Sequence, residues 1–163
     1  MNARDTRPDE WAQALERIGA MPVFLDAAIH EAGEENLGAR PSAEEFSLTE
    51  HVCHLRDLER EGYLLRVRRI LAEDAPELDG FDGTAVAKAR DYVAQDPRAA
   101  ARDFAATRGE LLALLASLDP GDFRRVARFA GRRITLADLV TLIDAHDAEH
   151  RAEIERLLDD LED

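Results

Sequence analysis

Two histidines, His146 and His150, stand four residues apart in the stretch DAHDAEHRAEIERLL, residues 144–158. The apolar residues around them, Leu136, Leu139, Val140, Ile143, Ile154, Leu157, Leu158 and Leu161, recur at helical spacing and leave a gap between 143 and 154. His146 and His150 fall in that gap, on adjacent turns of one helix, so their imidazoles can converge on a common point. A lone histidine on such a face reads as a packed or solvated ring. Two polar rings on neighbouring turns cost stability unless each finds a partner, and one metal ion is a partner for both. The pair therefore divides evenly between a packing role and a pair of nitrogen ligands.

A third ligand has to come from another helix, and EHVCHLRDLE offers His51 and His54. The inward residues of that segment are expected to be Leu48, Val52, Leu55, Leu58, Gly62 and Leu65. His51 lies nearer the middle of this stripe and His54 nearer its edge, so spacing alone leans slightly to His51. Cys53 points away from the stripe and reads as a small structural residue, and His30 is expected to face water. Among the carboxylates, Glu50 and Asp57 flank His54 on its neighbouring turns, and either could orient an imidazole or act as a base. Glu50 is better explained as a helix cap, while Asp57 serves equally well as an arginine partner. Asp147 and Glu149 are expected to form a solvated flank. The sequence has no nucleophilic serine or cysteine arrangement, glycine-rich phosphate loop or cysteine pair.

Four long helical stretches position these residues. The first spans about 9–36 and is interrupted by Gly19 and Pro22, which predicts a kink or restart near Met21. The second opens at the capping box Ser47, Leu48, Thr49, Glu50 and runs to about Glu73. Residues 74–96 begin with loop chemistry, hold a short helix near 84–93, and form the best candidate for a mobile flap. Asp96 and Pro97 start the third helix, which stops at the DPGD of residues 119–122. The basic connector FRRVARFAGRRI (123–134) predicts a turn or small hairpin around Ala130 and Gly131. Thr135 and Asp138 then cap the fourth helix, which extends to about Leu161. With no convincing strand, the expected fold is an all-α four-helix bundle, with a short extra helix or loop insertion between helices 2 and 3.

A chain of 163 residues suits one domain, taken as 1–163. Its 21 basic and 35 acidic residues give a formal charge of -14, which argues against nucleic-acid binding. The arginine clusters at 66–69 and 124–133 are short or interleaved with acidic neighbours. No apolar run approaches the ~18 residues of a membrane span, and the first residues lack the apolar core of a leader, so a cytoplasmic location is expected. The single cysteine fits a reducing compartment. Long amphipathic helices make a homodimer a reasonable expectation.

Three segments resemble the DinB-like (DinB/YfiT) superfamily of bacterial helical bundles. FSLTEHVCHLRDLE (46–59) is similar to that family's aromatic-Ser-x-x-Glu-x-x-x-His-Leu-x-Asp segment. DYVAQDPRAAARDFAATRGELLALLASL (91–118) is similar to its third-helix region. GRRITLADLVTLIDAHDAEHRAEI (131–154) is similar to its closing helix with His-x-x-x-His. The resemblance covers roughly residues 11–161. It implies a metal triad of His54, His146 and His150, with His51, usually apolar in the family, as a core or supporting residue and the fallback ligand. It also implies one divalent transition metal (zinc, nickel, iron or manganese) and a small-molecule substrate. The activity implied is that of a thiol-dependent S-transferase or isomerase, with a low-molecular-weight thiol as cosubstrate, or of a hydrolase, the thiol version being slightly favoured. Basic side chains beside the metal would support the thiol version. The competing expectation is a metal-binding bundle with a structural, sensing or protein-interaction role.

Overall fold

A computed structural model describes residues 8–162. The segment weighed above for a leader, residues 1–7, lies outside the described residues. The first helical stretch is two helices, α1 (Pro8–Gly19) and α2 (Met21–Ala32), joined at Ala20, with Pro22 in the first turn of α2, where its missing amide costs nothing. A short 3₁₀ turn (Glu34–Asn36) and an irregular loop lead to the second stretch. That stretch runs from α3 (Leu48–Asp57) through a π-helical turn (Leu58–Tyr63) into α4 (Leu64–Ala72). The Ser47 hydroxyl accepts from the Glu50 amide at 3.2 Å, and the Glu50 carboxylate accepts from the Ser47 amide at 3.1 Å, which completes the predicted capping box.

The π turn corrects one expectation. Leu65, expected to face inward, is 49% exposed, while Leu64, Val67 and Ile70 are buried. A π turn accommodates one residue more than the α repeat and rotates everything after it by about 100°, so the inward stripe slips by one position.

Beyond β1 (Glu77–Leu78), α5 (Gly83–Ala89) and a 3₁₀ turn (Tyr92–Ala94) form the insertion between helices 2 and 3. The third long helix, α6 (Pro97–Ala116), is capped by the Asp96 carboxylate, which accepts from the Arg98 amide at 2.9 Å. A 3₁₀ turn (Pro120–Arg124) then leads to the hairpin of β2 (Val126–Phe129) and β3 (Arg132–Thr135). Ala130 and Gly131 both adopt positive φ, 51° and 77°, as a two-residue hairpin turn of this twist requires. β1 pairs parallel to β2, so a three-stranded sheet of order β1-β2-β3 caps one end of the helical fold. Periodicity had given no sign of β1, because two residues are too short to show one.

The last helix, α7 (Leu136–Glu162), is the longest. In the bundle α6 packs on α2 and α3, and α7 packs on α1, α2, α3 and α4. Two pairs that are consecutive in the bundle, α2 with α3 and α6 with α7, have no comparable contact and sit across it. The apolar core falls into two clusters. One is built on α2, α3, the start of α6 and Ile154, Leu157 and Leu158 of α7; the other on α4, the sheet, Leu111, Leu115 and Leu136 to Ile143 of α7. The gap that α7 shows between 143 and 154 is the seam between them. No helix among the described residues is long and apolar enough to cross a membrane.

Candidate metal centre

Two sets of polar side chains fill the seam. The first is centred on Arg108 of α6, which is wholly buried, as is Glu59 in the π turn. The Arg108 guanidinium donates two bonds of 2.7 Å to Glu59, one of 2.5 Å and one of 3.1 Å to Asp147, and one of 2.9 Å to the Ile18 carbonyl. Burial pushes both carboxyl groups up from their ordinary range against the pull of Arg108. Asp147, expected on a solvated flank, is thus a core residue. It takes the inward position between Ile143 and Ile154, and its bond to Arg108 sets the rotation of α7 about its axis.

That rotation, with the capping box of α3, brings four histidines together. His150 is the hub: its ring centroid lies 5.0 Å from that of His54, 5.4 Å from His146 and 5.6 Å from His51. His51, His54 and His150 are largely enclosed, and the Nδ1 atom of each is buried with no hydrogen-bond partner. Burial, reinforced by the neighbouring imidazoles, lowers the pKa of His51 and His54 to about 4 and that of His150 to about 3. All three are therefore neutral near pH 7, with a lone pair available on each ring.

His146 differs from them. Its side chain is 47% exposed, and its Nδ1 is hydrogen-bonded to the Tyr63 hydroxyl at 2.6 Å. Burial raises the Tyr63 pKa well above its ordinary value, so the phenol keeps its proton. Tyr63 reaches this position from the end of the π turn.

The surroundings are aromatic on one side and acidic on the other. Phe46 stands edge-on to His51 at 5.6 Å and tilted to His54 at 5.9 Å, and Phe81 lies 6.1 Å from His54. The insertion predicted as a flap lies against His54: a Cβ at Gly83 would come within 2.6 Å of His54 Cε1 and 2.8 Å of its Nδ1. An open cleft of about 450 Å³ reaches His51 and His150, with Glu44, Glu45, Glu153 and Asp160 along its walls and Arg156 as the one cation among the described residues that line it. Glu153 lies 3.8 Å from His150 Nδ1 and 3.9 Å from His51 Nε2. Among the described residues, the one group of three whose donor atoms all lie within 4.8 Å of one another is His51, His150 and Glu153.

The carboxylates singled out on α3 make no hydrogen bond to a histidine. Glu50 accepts two bonds of 2.7 Å from Arg40 in addition to capping α3. Asp57 accepts from Arg56 at 2.9 Å and from the Tyr92 hydroxyl at 2.5 Å, and pairs with Arg90 at 3.1 Å. Both are structural anchors. Cys53 is buried, and the lost hydration raises its thiol to about 11, so it is not poised as a thiolate. His30 is exposed. Glu153 and Tyr63 are the residues that sequence reasoning missed. The i, i+3 spacing of His150 and Glu153 was a usable signal, whereas the π turn hides Tyr63 from any regular period.

The sequence profile of the DinB superfamily matches residues 17–154. The chain belongs to the DinB superfamily. Among solved structures, YfiT from Bacillus subtilis superposes with a TM-score of 0.87 at 21% identity, over 96% of this chain and 90% of that one. That protein is described as a probable metal-dependent hydrolase with an unusual four-helix bundle topology. At this identity the likeness establishes the fold. No curated protein sequence matches this chain.

Proposed function

We propose that this DinB-superfamily chain is a metal-dependent hydrolase of a small molecule, holding one divalent ion through His54, His146 and His150. The observation that carries the reading is the neutral, buried His150 imidazole, whose ring centroid lies 5.0 Å from that of His54 on α3 and 5.4 Å from that of His146 on its own helix, with no hydrogen-bond partner for its Nδ1 among the described residues. Buried polar atoms without partners are rare in native proteins, and clustered imidazole nitrogens suit zinc, nickel, iron or manganese. The hydrolase description of the structurally similar YfiT points the same way.

A divalent ion bound there supplies Lewis acidity, polarising a substrate oxygen and easing deprotonation of water. The chain's own residues do the rest. In the tautomer whose Nδ1–H donates to the Tyr63 oxygen, His146 keeps its Nε2 lone pair for the ion, and Tyr63 fixes the ring. Glu153, at the mouth of the cleft and within 4 Å of two imidazoles, can accept a proton at its carboxylate. Phe46 and Phe81 shield one side from water. The cleft can hold a small molecule, and its four carboxylates disfavour an anionic one. The basic lining that would support a thiol cosubstrate is represented by Arg156 alone, so hydrolysis is placed ahead of thiol transfer.

The test is metal content and hydrolysis measured together. Untagged protein purified without chelators should carry about one equivalent of metal and cleave members of a panel of neutral and cationic esters and amides. His54→Ala and His146→Ala should each weaken binding by more than the ~10–100-fold typical of losing a supporting residue, and abolish turnover. A wild-type protein that binds no zinc, nickel, iron or manganese on titration would end this reading.

A further inference from the structure

His51 and Glu153 have no place in the triad, yet both face the same imidazole. One donor atom each from His51, His150 and Glu153 lie within 4.8 Å of one another, closer together than any other such group among the described residues. Glu153 is 3.8 Å from His150 Nδ1 and 3.9 Å from His51 Nε2. Tetrahedral coordination with bonds of ~2.1 Å sets donors ~3.4 Å apart, so small side-chain rotations bring these atoms to coordinating distance. His51 Nδ1 and His150 Nδ1 are both buried without a partner, and the group opens onto the cleft.

We propose that His51, His150 and Glu153 form a second metal seat, a two-histidine, one-carboxylate site that overlaps the His54, His146, His150 triad and shares His150 with it. A neutral imidazole offers one lone pair, so the seats are alternatives and the protein holds one ion in total. They differ in chemistry. The triad is all nitrogen, whereas the second seat adds a carboxylate oxygen and lies beside Glu44, Glu45 and Asp160, which favours harder ions such as manganese or ferrous iron. The choice of seat thus becomes a choice of metal. The proposal rests on the reading that the histidine cluster binds a divalent ion, but not on the triad being the tighter seat.

The experiment is titration of metal-free protein with Co²⁺, followed by equilibrium dialysis and visible absorption, with folding checked by circular dichroism. The double variant His54→Leu, His146→Leu should still bind one equivalent, with an absorption spectrum different from wild type. Adding Glu153→Gln to that background should weaken binding by at least ~10-fold, and adding Asp160→Asn, in the same cleft, should not. His150→Leu should remove both seats. A folded double variant that binds no Co²⁺ overturns the second seat and leaves the triad intact. Equal effects of Glu153→Gln and Asp160→Asn overturn it as well, since only the general charge of the cleft would then be at work. If instead the double variant binds as tightly as wild type, the triad reading fails and the second seat stands. Should the leucine pair not fold, His54→Gln, His146→Gln answers the same question.

Discussion

Arg108 with its two carboxylates and the four histidines occupy the same seam of the bundle, and α7 supplies both sets from neighbouring positions, Asp147 to one and His146 and His150 to the other. In the first, five hydrogen bonds leave the buried guanidinium fully partnered. In the second, three buried nitrogens have no hydrogen-bond partner among the described residues. Similar burial with opposite satisfaction separates a group that holds the fold from one that, on the reading proposed above, takes a ligand.

Breaking the satisfied set should have the largest effect. Arg108→Ala leaves Glu59 and Asp147 buried without a counter-charge, and is expected to cost about 3–5 kcal/mol in urea unfolding, with or without metal. Arg108→Met with Glu59→Leu and Asp147→Leu should recover most of that loss, because all three charges then leave together.

Acid tests the unsatisfied set. The folded pKa values of His51, His54 and His150, about 4, 4 and 3, lie below the ordinary histidine value, so the unfolded chain binds more protons between them. The stability of metal-free protein should be level above about pH 6.5 and fall, by a few kcal/mol in total, as the pH drops towards 4. An unfolding midpoint that does not move over that range would show the rings to be solvated.

Metal should separate the two sets. At a free concentration of ~100 Kd, Co²⁺ or Zn²⁺ should stabilise the wild type by about 2.7 kcal/mol, and His150→Leu by nothing. In metal-free protein, His150→Leu should unfold within about 1 kcal/mol of wild type, since it removes an atom that had no partner. The smallest effects belong to the residues that aim the rings. Tyr63→Phe should weaken metal binding about tenfold by freeing His146. Gly83→Ala should weaken it by a similar factor, because its methyl group displaces His54.

What could be read from the sequence was local. The capping boxes at Ser47 and Thr135 depend on residues three apart, and both are present. The restart at Pro22 and the hairpin turn at Ala130 and Gly131 are likewise decided by neighbouring residues. His146 and His150 stood out by a gap in an apolar stripe and His54 by resemblance; the ring centroids of His54 and His146 lie 5.0 and 5.4 Å from that of His150, while the group whose donor atoms all come within 4.8 Å is His51, His150 and Glu153. Asp147 was misread because its partner Arg108 is 39 residues away on another helix, where no periodicity connects the two. Leu65 and Tyr63 were out of reach for a different reason: the π turn changes the repeat itself.

That turn also bears on how the chain tolerates insertions and deletions. Removing one residue between Leu58 and Tyr63 would restore a regular helix and leave Leu64, Val67 and Ile70 facing the core, because the π turn already absorbs the extra residue, whereas removing one residue within α3 would rotate its two flanks by about 100° relative to one another. A deletion in the loop of residues 38–46 shortens a connection without re-phasing any helix. Of two single-residue deletions in the same continuous helix, the one inside the π turn keeps both flanks in phase, and the one a turn or two before it dismantles both the core and the site.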